Sequence, residues 1–131
     1  MQAAATLPVP LTVSRPALWT GRILAGFMVL FLGFDAIAKL PGIPAVVEAN
    51  AHLGFQPWQA VVVGVIELIC VALYALPRTS LLGAVLLTAC LGGACAVQFR
   101  ITESYVFPVV IGAIVWAGLL LRRPALLKLL I

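Results

Sequence analysis

Charged side chains are scarce in this sequence: 9% of its 131 residues are Asp, Glu, Lys or Arg, and only four of those are acidic. A water-soluble domain of this length carries roughly 25% charged residues. Too little polar surface is therefore encoded to wet a globule, which excludes a soluble catalytic domain. Histidine is scarcer still. With His52 alone the chain cannot supply bis-histidine haem ligation, and CxxC, P-loop and GxGxxG arrangements are all missing, so the sequence spells out no recognisable electron-transfer or nucleotide centre of its own. The three cysteines, Cys70, Cys90 and Cys95, lie inside apolar runs. One helix would turn Cys90 and Cys95 about 140° apart, so neither a structural disulfide nor a metal site is expected. The formal charge of +4 does not indicate nucleic acid, because the basic residues are scattered at the ends of apolar segments and form no single patch.

What the sequence does have is long apolar runs, with 64% hydrophobic residues and a mean hydropathy of +1.21. A bilayer with about 30 Å of hydrocarbon needs runs of about 20 such residues. Four are present, over about 18–40, 58–76, 80–99 and 106–121. The expected fold is an all-α integral membrane four-helix bundle occupying residues 18–123 as a single domain. A flexible N-terminal tail (1–17), rich in Ala, Pro and Thr, precedes it, and a short amphipathic cytoplasmic tail (124–131) follows. Ala36-Ile37-Ala38 has the look of a signal-peptide cleavage site, but the run before it is too long for a signal segment and carries Asp35. Between the first and second spans, Pro44 to Leu53 followed by Gly54 has the layout of a short interfacial helix. Glu48 and His52 share its polar face, and Val47 and Ala51 lie opposite. The turn at Pro77-Arg78 is so tight that the second and third spans must be antiparallel neighbours.

An even number of spans puts both termini on one side. Arg15, Arg22, Arg78, Arg122, Arg123 and Lys128 lie on that side, against Lys39 and Arg100 on the other. The positive-inside rule then predicts cytoplasmic N- and C-termini, with Asp35, Lys39, Glu48, His52 and Glu103 toward the outside or periplasm.

Glu67 is the sharpest feature, because an ionised carboxylate at mid-span costs from about 2.5 to well over 10 kcal/mol, depending on the reference state. It must be protonated, paired or near water. Ala60, Gly64 and Tyr74 share its face, which is therefore expected to meet another helix. Either Glu67 belongs to a polar pocket or proton site, or it is a neutral acid gluing helices together. Asp35 and Lys39, four residues apart, can pair within one turn. A ligand-binding role and a structural pair with a snorkelling lysine are both open. Gln98 and Arg100 close the third span on the same side, interface anchoring being the alternative for Arg100. Ala84, Thr88, Gly92 and Ala96 form a small-residue stripe expected to bring that helix into the bundle, with Cys95 and Gln98 nearer the seam than Cys90. Asp35, Lys39, His52, Glu67, Gln98 and Arg100 are thus the candidate binding residues, all in the outer half. Between the first three spans they would line a cavity suited to a small polar or amphiphilic molecule such as a quinone headgroup.

Several short motifs, in their order and spacing, resemble the DoxX-like family within the wider DoxX/DoxD group. They are Phe34-Asp35-Ala36 with Lys39-Leu40, Leu53-Gly54-Phe55, Gly64-Val65-Ile66-Glu67-Leu68, Leu76-Pro77-Arg78-Thr79, Leu91-Gly92-Gly93-Ala94 and Phe107-Pro108. The resemblance covers nearly everything after the tail. It implies a bacterial inner-membrane four-helix bundle in which Asp35, Lys39 and Glu67 match typical positions, and a link to membrane redox complexes. Where many members have a histidine near the outer end of the third span, this chain has Gln98, which cannot titrate, so a proton relay there is in doubt. The expected function is an accessory or quinone-interacting subunit of a membrane redox system, whose partner supplies the redox centre. A small proton-coupled transporter or permeation protein, and a non-catalytic assembly protein, are the alternatives. The expected partners are the lipid bilayer, a quinone and other redox subunits, with room for a homo-oligomer and no nucleic acid.

Overall fold

The computed structural model describes residues 14–130. Most of the expected tail, including Met1 to Val13, lies outside the described residues. Among the described residues all regular structure is helical: α1 (Arg15–Ala38), α2 (Pro44–His52), α3 (Pro57–Ala75), α4 (Ser80–Arg100), α5 (Val106–Arg122) and α6 (Ala125–Leu130). Helix α1 starts earlier than the hydropathy run suggests. Ser14 caps it by accepting from the Ala17 amide, and Pro16 in the first turn needs no amide partner, so polar residues extend the helix beyond its apolar part.

Helices α1, α3, α4 and α5 close a cycle, with α1 packed on α3 and α5, and α4 packed on the same two. The connections set this order. Leu76 is held extended because it precedes Pro77, which ends α3. Thr79 and Ser80 then donate to the Leu73 and Leu76 carbonyls and return the chain as α4. Arg122 at the end of α5 lies against Gly21 near the start of α1, and Arg123 donates to the Pro77 carbonyl. One end of the bundle therefore gathers the start of α1, the α3–α4 turn and the end of α5. Asp35, Lys39, α2 and the α4–α5 loop occupy the other.

The outer surface is apolar. Leu30 and Phe34 on α1 are 75% and 76% exposed, and Ile23, Phe27 and Ile37 share that face, while Met28 and Ala36 behind them are fully buried. Large apolar side chains facing outward all round identify lipid as the surrounding medium. The chain is a helical membrane bundle. Helices α1, α3 and α4 have the length and apolarity to cross a membrane. Helix α5 is shorter, with 17 residues. At about 1.5 Å per residue it spans roughly 25 Å, the short end of what crosses a bilayer.

The core holds Met28, Leu32, Tyr74, Ala84, Leu87, Val115 and Leu119. Without a hydrophobic driving force between helices in lipid, close backbone contact matters most. The tightest is between α3 and α4, where a Cβ on Gly83 would lie 2.2 Å from the Tyr74 nitrogen. Tyr74 is 1% exposed and its hydroxyl donates to the Val115 carbonyl at 2.7 Å, which ties α3 across the core to α5.

The expected stripe on α4 is corrected by this packing. Its seam is Ser80, Gly83, Ala84 and Leu87, while Thr88, Gly92 and Ala96 are exposed. Thr88 does reach α5, accepting from the Trp116 indole at 2.7 Å. Residues four apart drift around a helix by about 40° per step, which carries Gly92 and Ala96 off the contact. For the same reason Cys90, and not Cys95, lies at the α3–α4 seam.

Gly83→Ala is expected to lower stability to SDS unfolding in mixed micelles by about 1–3 kcal/mol, because the added methyl meets backbone that cannot turn aside. Gly92→Ala has nothing within 4 Å of the added Cβ. It should match or exceed the wild type by up to about 1 kcal/mol from helix propensity. Equal behaviour of the two variants would contradict the α3–α4 contact. In the same assay Tyr74→Phe, which deletes one interhelical hydrogen bond, should cost about 1 kcal/mol.

Candidate functional site

Gly64 sits one turn before Glu67 on α3 and lets α1 come close: a Cβ there would lie 2.9 Å from both the Ala36 carbonyl oxygen and the Lys39 Cβ. The first turn of α3 is fixed locally, since the Gln56 amide donates to Gln59 Oε1 at 2.8 Å ahead of Pro57. Lys39 follows the last turn of α1, where its own amide still donates to Ala36. Its side chain folds inward over the gap left by Gly64. The ammonium donates to Asp35 Oδ2 at 2.5 Å and to Glu67 Oε2 at 2.7 Å. The predicted i,i+4 pair is present, and the structure adds Glu67 to it. The Lys39 and Glu67 side chains are 14% and 11% exposed, whereas Asp35 is 51% exposed, so the cluster runs from the rim inward. One ammonium faces two carboxyls. The group is neutral when one carboxyl carries a proton and singly negative when neither does.

The cluster forms one wall of a half-open cavity of about 520 Å³ between the four long helices, with α2 at its end. Most of the wall is apolar, from Phe31, Leu87, Leu91 and Ile111. Phe31 and Phe107 meet edge to face at 6.0 Å on the α1–α5 side. The polar lining is Asp35, Lys39, Glu67, Asn50 and Gln98, with Cys90 beside them. Gln98 Oε1 is buried without a hydrogen-bond partner. A buried acceptor left unpaired costs about 1–3 kcal/mol, and an amide can turn either its oxygen or its NH2 toward a guest.

Four of the six sequence candidates therefore line one cavity: Asp35, Lys39, Glu67 and Gln98. His52 and Arg100 lie outside its lining. His52 Nε2 is 2.9 Å from Glu103 Oε1, both side chains exposed, and Arg100 donates to the Leu53 carbonyl at 3.3 Å beside Gly54. Gly54 has φ +93° and open space on the Arg100 side only because it lacks a Cβ. These two contacts strap α2 and the α2–α3 loop to the end of α4 and the loop that follows it. The buried face of α2 runs through Val46, Val47, Asn50 and Leu53, with Glu48, Ala51 and His52 outward. Asn50, 8% exposed and donating to the Val46 carbonyl, went unnoticed in the sequence because a polar residue in a short interfacial helix reads as solvated. Cys90 lies at the seam although the sequence places Cys95 nearer to it, and the signal that identifies Cys90 is its distance of two turns from Gly83.

No group of three or more His, Cys, Asp or Glu among the described residues could hold a metal ion. No curated protein and no solved structure matches the chain. The family model described as the DoxX-like family matches residues 23–118, which takes in α2, α3, α4 and most of α1 and α5, together with every residue of the cavity cluster. The chain belongs to the DoxX-like family.

Proposed function

We propose that the protein is an accessory subunit of a membrane redox system that holds a quinone headgroup in the cavity between its helices. The observation that carries this reading is the Lys39 ammonium, bridged to Asp35 and Glu67 at one wall of an otherwise apolar cavity. Ligand pockets for molecules of this size occupy roughly 300–1,000 Å³ and combine apolar walls with a few convergent polar groups. A quinone and its quinol make opposite demands. The quinone carbonyl needs a donor, which Lys39 or the Gln98 amide NH2 supplies, and the quinol hydroxyl needs an acceptor, which Glu67 or Gln98 Oε1 supplies. The cluster's capacity for one proton suits the exchange between the two. Electrons would come from a partner subunit, and the apolar walls would take the first isoprenoid carbons of the tail.

The same reading sets the protein in a bacterial inner membrane. Arg15, Arg22, Arg78, Arg122, Arg123 and Lys128 belong to one end of the bundle and Asp35, Glu48 and Glu103 to the other, with Glu67 at the middle of α3. Lysine and arginine concentrate on the cytoplasmic side. Fluorescent protein fused after Ile131 should therefore fold and fluoresce, while alkaline phosphatase fused there should be inactive; the reverse pattern would invert the topology and put the cavity on the cytoplasmic side.

Binding is tested by calorimetry on the full chain in nanodiscs with a short-chain, fully substituted benzoquinone. One saturable site per chain is expected. Glu67→Gln and Gln98→Leu should each raise Kd at least tenfold, about 1.4 kcal/mol, while Glu48→Gln on the exposed face of α2 leaves it unchanged. Gln98→Leu should not lower the stability of the empty protein, since it removes an unpaired buried acceptor. Absence of saturable binding overturns the quinone reading. Proton uptake driven by a solute, without quinone binding, would point to transport instead.

A further inference from the structure

Cys70 on α3 and Cys90 on α4 are 20 residues apart in sequence, yet their Sγ atoms lie 3.9 Å from each other. The Gly83–Tyr74 contact brings this about. In an antiparallel pair, two turns forward from Gly83 and two turns back from Tyr74 bring Cys90 level with Glu67, and Cys70 is one turn from Glu67 on the same face. Cys70 is 4% exposed and fixed in the core. Cys90 is half-buried and lines the cavity together with Glu67 and Lys39. All three cysteines are free, and Cys95 stands apart, with its thiol directed at the Tyr105 carbonyl. Two thiols, a carboxyl and a cavity thus meet at one level of the bundle. The chain has no CxxC motif, but helix packing produces what that spacing would otherwise supply.

We propose that Cys70 and Cys90 are a dithiol–disulfide couple that reduces the quinone held in the cavity. The inference rests on the quinone reading above and goes beyond it, since it gives the chain a redox centre of its own. In the reaction both S–H bonds break and one S–S bond forms. The two electrons pass to the quinone ring and the two protons end on its oxygens, which yields the quinol. Glu67 receives the Cys90 proton and hands it on, so its own protonation is unchanged at the end. A thiol in apolar surroundings is ordinarily inert because only the thiolate reacts. Cys90 differs in having Glu67 at its level to accept the proton and the Lys39 ammonium on the same cavity wall, the kind of cation that favours a thiolate. A disulfide needs the sulfurs at about 2.05 Å, a closure of roughly 2 Å, and Cys90 has the cavity beside it in which to change rotamer while Cys70 stays fixed. Return to the dithiol proceeds by exchange with a reduced dithiol that attacks Cys90, the sulfur on the cavity side. The net traffic is from dithiols to quinone.

The test uses the full chain, reduced and in nanodiscs, mixed anaerobically with an excess of a fully substituted short-chain benzoquinone, whose ring carbons are blocked against thiol addition. One quinol should form per chain by absorbance. Thiols counted after denaturation should fall from the three in the sequence to one, with the Cys70 and Cys90 peptides joined and two hydrogens lighter. Cys70→Ser and Cys90→Ser should each abolish quinol formation, calorimetry should still detect quinone binding to Cys70→Ser, whose side chain lies outside the cavity lining, and Cys95→Ser should behave as wild type. Quinone that binds while every thiol persists, or quinol formed undiminished by Cys90→Ser, overturns the couple and leaves the binding reading standing. Absence of binding in the calorimeter, for wild type and serine variants alike, removes the binding reading and the couple with it.

Discussion

One ammonium group, held between two carboxyls where lipid leaves little water to replace it, is the interaction on which the arrangement of this bundle turns. In water such a pair contributes little. Within the bundle its loss would leave charges exposed to a medium that solvates them poorly, so the geometry that brings Lys39 to Glu67 cannot be relaxed cheaply. That geometry requires α1 and α3 to approach to backbone contact at Gly64, and it sets the polar edge of the cavity. Asp35 extends the cluster to the rim, where it is half exposed, and so connects a buried carboxyl with the aqueous side through a chain of polar atoms.

The opposite end of the bundle solves a different problem. There the cations face no carboxylates, and contact depends on small residues and backbone acceptors. Arg122 lies across Gly21 and over the Tyr74 ring, and Tyr74 in turn donates to Val115. The tight Gly83–Tyr74 crossing belongs to this end. The cavity lies farther along, toward the end that carries Asp35 and Lys39.

Much of this was legible in the sequence because lipid imposes simple rules. Apolar runs gave the long helices within a few residues, Pro44, Pro57 and Pro77 marked their boundaries, and Asp35 with Lys39 announced a pair by spacing alone. Glu67 was conspicuous by its cost, and Gly64 marked the face that meets α1. What was not legible depends on rotation about helix axes. A near-uniform hydrophobicity gives α4 no dominant face, so Ala84, Thr88, Gly92 and Ala96 could be read as a seam when only the first part of that stripe is one. The expectation that Cys95 lies nearer the seam than Cys90 fails through the same ambiguity. His52 and Arg100 were grouped with the cavity because they lie at the same depth, but depth does not distinguish a lining residue from a strap on the outside.

Gln98 illustrates how stability and function diverge at such a site. If the bundle were optimised for packing alone, an apolar residue would fill that position and the unpaired oxygen would vanish. Leaving an acceptor unsatisfied beside a lysine–carboxylate cluster makes the empty protein less stable than it could be, a deficit that a guest with its own hydrogen-bonding group would recover. The same reasoning applies to the void itself. In a medium where helices associate chiefly through contact, a cavity of about 520 Å³ forfeits packing that side chains larger than Ala94 or Cys90 would restore. A bundle whose only task was to associate would have closed it. An open cavity, an unpaired amide and a bridged lysine at one level are what the proposed binding role requires and what helix association alone does not.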